Sequence, residues 1–261
     1  GSVHFKRGDD GSANSYGQTS SVMLQLLPYV EQQPLYDRYE FGRRTRDYAP
    51  NAEVAGTEIP MLMCPSDGVS SRWHFKRNDH YAKGNYAPPY SAGSAWGKRF
   101  FHGEHAIHRA VFNARWAYGA SIAEIRDGTS NVLIYSEQLT SGHEADSRGA
   151  WAHPGGAFIC SGNKGQAIGY RRVPNGNALD DRQADHCTSC RALSVQDRQL
   201  RCLTNSNRPN QTARSRHPGG VNVCMADASV HFVSNTINTQ NWVRMFSIGS
   251  GNHQFEIWPF D

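Results

Sequence analysis

The sequence lacks any long hydrophobic run. No apolar stretch approaches the roughly 18 residues that a membrane-spanning helix requires. The first residues also lack the basic segment followed by an apolar one that marks a secretory leader. We therefore expect these 261 residues to be the outer part of a longer protein, with any leader or anchoring helix lying upstream.

Hydrophobic side chains are scarce, and neither sign of charge is concentrated. Hydrophobic residues make up 38% of the chain, and 25 glycines and 12 prolines interrupt its patterns. A chain of this length still buries roughly 70–75% of its unfolded surface, so we expect a loop-rich protein around a modest core. The net charge of +4 is spread along the chain, which argues against a nucleic-acid partner.

Short ordered segments alternate with long irregular ones. Residues 1–18 are polar and rich in Gly and Ser, which predicts a flexible lead-in. Residues 19–261 are predicted to form one domain with insertions at about 69–120 and 138–216. We find no internal repeat.

Three local patterns predict secondary structure. Apolar residues at helical spacing over 22–30 predict a helix with Thr19 or Ser20 as its N-cap and Pro28 near its end. Residues 132–135 predict a short buried strand. Asn238-Thr239-Gln240-Asn241 predicts the cap of a last short helix.

The clearest pattern is a β-hairpin near the C-terminus. His217-Pro218-Gly219-Gly220 predicts a turn, because proline fixes φ and glycine accepts positive φ. Apolar and polar residues then alternate over 221–226 and again over 229–234, with Asp227-Ala228 at the tip.

Four segments, in the same order over residues 20–235, match the pattern of a known family. They are LLPYVEQQPLY at 26–36, MCPSD at 63–67, DGTSNV at 127–132 with Ser136-Glu137 after it, and HPGGVN through DASV at 217–230. The chain thus resembles the large planctomycete family of pilin-like proteins, which carries a prepilin-type N-terminal helix and a C-terminal H-x9-D-G signature.

The resemblance implies an α+β fold of the pilin or type II secretion pseudopilin kind, with short helices packed on an antiparallel C-terminal sheet. It implies an extracytoplasmic protein, secreted or in the cell envelope, that meets the membrane only through the missing N-terminal helix. Its partners would be other pilin-like subunits or envelope proteins, and no catalytic activity is implied. The signature residues here are Asp127, His217, Gly219, Gly220 and Asp227.

One departure from the family pattern affects the hairpin. Ala228 stands where the signature has glycine, so we expect a turn that does not need positive φ at this position.

Two groups of residues are candidate metal ligands. His102, His105 and His108 would share one face of a helix, where imidazoles suit zinc or copper; the alternative is a His-rich loop that binds nothing. Asp180, Asp181 and Asp185 offer the oxygen ligands that calcium prefers, and the alternative is a solvated loop. Calcium is the favoured ion of the three.

The six cysteines are an even number, which in an exported protein predicts disulfides, with 15 full pairings open. His186-Cys187-x2-Cys190, with Cys202 further on, has the spacing of a zinc site, but a disulfide within this group is favoured. The disulfide candidates are Cys64, Cys160, Cys187, Cys190, Cys202 and Cys224.

Aromatic residues crowd the first insertion. The candidate contacts for a protein or glycan partner are Trp73, Tyr90, Trp96 and Trp116. About half of the aromatic rings in this insertion are expected to lie in the core instead, because Leu and Ile are scarce.

A catalytic group of Ser130, His217 and Asp227 is disfavoured, because no nucleophile elbow is present. His217 is instead expected to pin the hairpin entrance through a hydrogen bond of its ring.

We therefore predict a structural or binding protein of the cell envelope that presents an aromatic- and His-rich loop surface. The competing hypothesis is a secreted metal-dependent or carbohydrate-active enzyme that uses the histidines at 102, 105 and 108.

Overall fold

The computed structural model describes residues 21–43, 45–75, 79–92, 109–113, 118–162, 172–181, 183–187, 189–190, 199–204 and 210–249. Short helices and mostly antiparallel strands make it an α+β protein, which confirms the predicted class. No helix among the described residues is long and apolar enough to cross a membrane. The predicted lead-in at 1–18 lies outside the described residues.

Four helices and twelve strands make up the described part of the chain. The helices are α1 (Val22–Leu26), α2 (Gln33–Arg38), α3 (Ala49–Ala55) and α4 (Thr239–Met245). The strands are β1 (Arg72–Phe75), β2 (Asp79–Ala82), β3 (Tyr86–Ala87), β4 (Pro89–Ser91), β5 (Phe112–Asn113), β6 (Tyr118–Gly119), β7 (Leu133–Glu137), β8 (Ile159–Cys160), β9 (Asp185–Cys187), β10 (Cys202–Thr204), β11 (Gly220–Met225) and β12 (Val230–Ser234).

The central element is a four-stranded antiparallel sheet in the order β12-β11-β7-β3. The other strands form two-stranded pieces: β1 with β2, β4 with β8, β5 with β6, and β9 with β10. The predicted strand at 132–135 is β7, and the predicted hairpin is β11 with β12.

The first helix is shorter than its apolar pattern suggests. Ser21, rather than Thr19 or Ser20, is the N-cap, and its hydroxyl accepts a hydrogen bond from the Met23 N–H at 3.2 Å. The chain tightens into a 3₁₀ turn at Leu27–Val30, because Pro28 lacks the N–H that would continue the helix. Near the other end of the chain, the predicted cap is confirmed: Asn238, the first residue of the capping run, is the N-cap of α4.

The tip of the hairpin differs from the expectation. Ala228 has φ of +69°, so this position does require the left-handed conformation. Its N–H donates to the Met225 carbonyl, while the Met225 N–H donates to the Ser229 carbonyl. This pattern is a three-residue loop with a bulge, whose last position glycine normally fills. The expectation of a turn that does not need positive φ at Ala228 is therefore wrong.

Both faces of the sheet contribute to a core. On one face, valines of β11 and β12 pack against Trp242 of α4 and against Phe246, the residue that follows this helix. These valines are Val221, Val223 and Val233. Tyr135 on the other face of β7 contacts the clusters that include α1. Helices therefore cover the sheet from both sides.

Two of the predicted partner-contacting rings lie in the core instead. Trp73 is 1% exposed and packs against Tyr81 and His153. Tyr90 is fully buried and stacks on Phe158 with ring centroids 5.2 Å apart. Because aliphatic residues are scarce, these rings fill interior volume, and assigning them to a partner surface was wrong.

The remaining residues of that prediction lie outside the described part of the chain. They are Trp96 and Trp116, together with the candidate metal ligands His102, His105 and His108.

Candidate functional site

Three of the four segments that match the family pattern meet at one place, which we call the signature junction: Cys64, Asp67, Glu137, His217 and Asn222. Glu137 is the last residue of β7, and Asn222 lies beside it on β11. His217 belongs to the turn that enters β11, and Cys64 and Asp67 follow the 3₁₀ turn at Pro60–Leu62. Antiparallel pairing therefore brings together groups that are far apart in the sequence.

Glu137 is the centre of the signature junction. One of its carboxylate oxygens accepts from the Asn222 backbone N–H at 2.7 Å, and the other accepts from the Asn222 side-chain amide at 3.2 Å. His217 Nε2 lies 2.9 Å from the second oxygen. Hydrogen bonds to a charged group contribute roughly 1.5–3 kcal/mol each, so this carboxylate holds the hairpin entrance against β7.

The thiol of Cys64 faces the same two groups. Its Sγ lies 3.7 Å from His217 Nε2 and 4.0 Å from Glu137 Oε1. Burial, together with the nearby Cys64 and Glu137, raises the pKa of Tyr86, so this residue adds a neutral phenol to the site.

Asp67 fixes the other side of the signature junction. Its Oδ2 accepts from the Asn85 amide at 2.6 Å and from the N–H and hydroxyl of Thr140 at 3.0 and 2.9 Å. Its Oδ1 lies 3.5 Å from Arg216 Nε, next to His217 in the chain. The aspartate therefore ties three segments together.

The geometry does not suit nucleophilic catalysis by Cys64. In a catalytic triad, one imidazole nitrogen takes the proton of the nucleophile while the other is held by a carboxylate. Here the same atom, His217 Nε2, faces both the thiol and Glu137. The arrangement can hold segments together or donate three ligands to an ion.

Ser130, His217 and Asp227 do not form a site. His217 precedes the first residue of β11, Gly220, whereas Asp227 comes after its last residue, Met225, so roughly 20 Å of strand separates them. The carboxylate of Asp227 accepts hydrogen bonds from Ser229 in the hairpin tip.

Ser130 lines a different feature, a cleft of about 350 Å³ beside α4. His231 and Arg244 contribute to the same cleft, together with Asn131, Met225, Asn241 and Met245.

Asp185 is not available to calcium alongside Asp180 and Asp181. It is 1% exposed, and its carboxylate lies 3.1 Å from Arg148, 3.3 Å from Arg214 and 3.8 Å from Arg172. Burial alone would raise the pKa of Asp185, but these guanidinium groups outweigh it and hold the pKa below its ordinary value. This part of the predicted calcium group is wrong, because three arginines already compensate the charge.

Asp181 forms an ion pair with Arg201 at 2.6 Å. The calcium prediction therefore rests on Asp180 and Asp181 alone.

Among the six candidate cysteines, Cys190 and Cys202 form a disulfide, and the other four are not disulfide-bonded. Cys187 lies beside that disulfide, with its sulfur within 4.8 Å of the other two. His186 does not join them, because neighbouring residues of a strand point to opposite faces; its Nε2 lies 3.4 Å from the Asp181 carbonyl.

Sequence reasoning missed two arrangements. It treated Cys64 only as a disulfide candidate and did not place it with Glu137 and His217, although all three lie in segments that match the family pattern. It also missed the cluster around Asp185, since no sequence spacing links Arg148, Arg172 and Arg214.

Comparison with known families agrees with the matching segments. The model of a family described as a protein of unknown function, DUF1559, matches residues 5–240. The chain therefore belongs to the DUF1559 family. No curated protein and no solved structure matches it at a significant level.

Proposed function

We propose that this chain is the extracytoplasmic head of a pilin-like protein of the cell envelope, with a structural or binding role rather than an enzymatic one. The observation that carries the proposal is how the fold uses residues from the segments that match the family pattern. Glu137, Asp67 and Asn222 hold separate segments together in the signature junction. The residues shared with the family therefore support a structural role, because they hold parts of the fold together.

The disulfide supports the location. Cys190 and Cys202 are joined across twelve positions of the chain, and disulfides persist in oxidising compartments and are rare in the cytosol. The short helices on an antiparallel sheet are consistent with a pilin-like head.

Partner contacts are assigned to the first insertion. With Trp73 and Tyr90 in the core, the proposed protein- or glycan-facing surface depends on Trp96 and Trp116. The competing enzyme hypothesis depends on His102 and its two neighbouring histidines, and no observation in the described residues favours it.

A location experiment tests the proposal. Intact cells that produce the full-length protein are treated with protease, and the chain is followed with an antibody. The untreated protein is trapped with a thiol reagent during lysis and denatured without reductant, and its free thiols are counted. We expect degradation on intact cells and four free thiols. A protected chain with six free thiols would contradict an extracytoplasmic role.

A further inference from the structure

Three metal-binding groups from three separate segments meet at the signature junction. Cys64 Sγ, a carboxylate oxygen of Glu137 and an imidazole nitrogen of His217 all lie within 4.8 Å of one another. We propose that these three side chains bind a divalent transition-metal ion, and that zinc is the ion that fits them best.

The distances between the donor atoms match zinc coordination. Sγ and Nε2 are 3.7 Å apart, Nε2 and Oε1 are 2.9 Å apart, and Sγ and Oε1 are 4.0 Å apart. Atoms at these separations lie on a circle of about 2.1 Å radius, and zinc bonds to imidazole, carboxylate and thiolate are about 2.0–2.3 Å long. An ion near the centre reaches all three donors with only small side-chain adjustments.

The charges of the donors also call for a cation. Cys64 is 8% exposed and Glu137 is 3% exposed. When an ion binds, the Cys64 thiol gives up its proton, and the charge of the divalent ion neutralises both the resulting thiolate and the Glu137 carboxylate, which would be costly to bury without compensation. Arg216, the residue before His217 in the sequence, pairs with Asp67.

Outer hydrogen bonds already orient the ligands. Asn222 donates its backbone N–H and its amide to the Glu137 carboxylate. The Cys64 backbone N–H donates to Asn85 Oδ1 at 2.8 Å, and the Asn85 amide donates to both Asp67 and the Gln138 carbonyl. Such contacts hold ligands in position before an ion arrives and raise metal affinity.

The site is reachable from solvent on one side. The side chain of His217 is 29% exposed, whereas that of Glu137 is 4% exposed. An ion therefore enters past the imidazole. Three protein ligands leave the fourth tetrahedral position to water or to an external ligand.

Metal titration tests the assignment directly. Protein without an affinity tag, stripped of metal and with the Cys190–Cys202 disulfide intact, is titrated with Zn²⁺ alone against a chromophoric chelator. It is then titrated with Co²⁺ alone while its absorption spectrum is recorded. We expect one equivalent of zinc and a thiolate-to-cobalt charge-transfer band. Reductant is omitted, because opening the disulfide would create a second cluster of thiols with Cys187.

Matched variants locate the ion. Cys64→Ser should abolish the charge-transfer band and weaken zinc binding by more than the roughly 10–100-fold that changes in outer contacts cause. Glu137→Gln keeps the shape of the side chain and should weaken zinc binding while near-UV circular dichroism reports an intact fold. Cys187→Ser and Cys224→Ser should leave the affinity and the spectrum unchanged.

Two results would overturn the proposal. One is the finding that the folded wild-type protein binds less than one equivalent of zinc. This result can be interpreted without any variant. The other is a charge-transfer band that survives Cys64→Ser and is lost in Cys187→Ser.

Discussion

Acidification should destabilise the protein through one buried histidine. His153 packs edge-on against Trp73 and Tyr81, and burial lowers its pKa to about 4 from an ordinary 6.5. Its Nδ1 accepts a hydrogen bond from the Gly155 N–H at 3.0 Å, so this nitrogen carries no proton in the fold. Protonation would break that bond and place a charge among aromatic rings.

The direction and size of the effect follow from the two pKa values. Above pH 6.5 the imidazole is neutral in both the folded and the unfolded chain, and its contribution does not change. Between pH 6.5 and 4 only the unfolded chain binds the proton, so the free energy of unfolding falls by up to about 1.4 kcal/mol per pH unit. The loss from this group should reach about 2 kcal/mol at pH 5 and about 3 kcal/mol below pH 4.

Urea denaturation across pH 4–8 measures this contribution. His153→Asn keeps an acceptor near the position of Nδ1, and it should flatten the pH profile in that window even though lost ring packing lowers stability at every pH. Val230→Asn, which changes an exposed side chain of the hairpin that does not titrate, should keep the shape of the wild-type profile. Parallel profiles for wild type and His153→Asn would refute the reasoning.

Three further predictions concern the hairpin tip, the arginine cluster and the disulfide. Ala228→Gly should stabilise the protein by about 0.5–1 kcal/mol in urea denaturation, because relief of left-handed strain exceeds the entropy that glycine adds to the unfolded chain. Ala226→Gly, in the same loop, should destabilise the protein. Equal effects of the two substitutions would contradict the assigned turn. Asp185→Asn should cost about 3–5 kcal/mol by leaving buried guanidinium groups uncompensated, seen as a lower midpoint, and an unchanged midpoint would disprove that role. Replacing Cys190 and Cys202 together by serine should cost about 3 kcal/mol, and no change in non-reducing denaturation would argue against the crosslink.

Local chemistry explains what the sequence predicts well. The hairpin strands, the short strand β7 and the capped helix α4 depend on neighbouring residues, so alternation and a cap such as Asn238 identify them. Pro28 likewise ends α1 through a local property, because proline has no backbone N–H to donate.

Properties that depend on distant partners could not be predicted in this way. An exposed and a buried tryptophan look the same in sequence, so Trp73 was assigned to a surface although Tyr81 and His153 enclose it. Asp185 looked like a calcium ligand beside Asp181, but the three arginines that occupy it come from other segments. Ala228 kept the left-handed turn without the glycine that normally marks it.

The nine residues between His217 and Asp227 show the same limit for the site. This spacing corresponds to one strand and the approach to its tip, which places the two side chains at opposite ends of β11. The chemical setting of His217 comes instead from Glu137 on β7, 80 residues earlier, and from Cys64, 153 residues earlier. Whether His217 only pins the hairpin or also ligates a metal therefore depends on these two partners, and Cys64→Ser separates the two roles because it removes a ligand and leaves the bond between His217 and Glu137 in place.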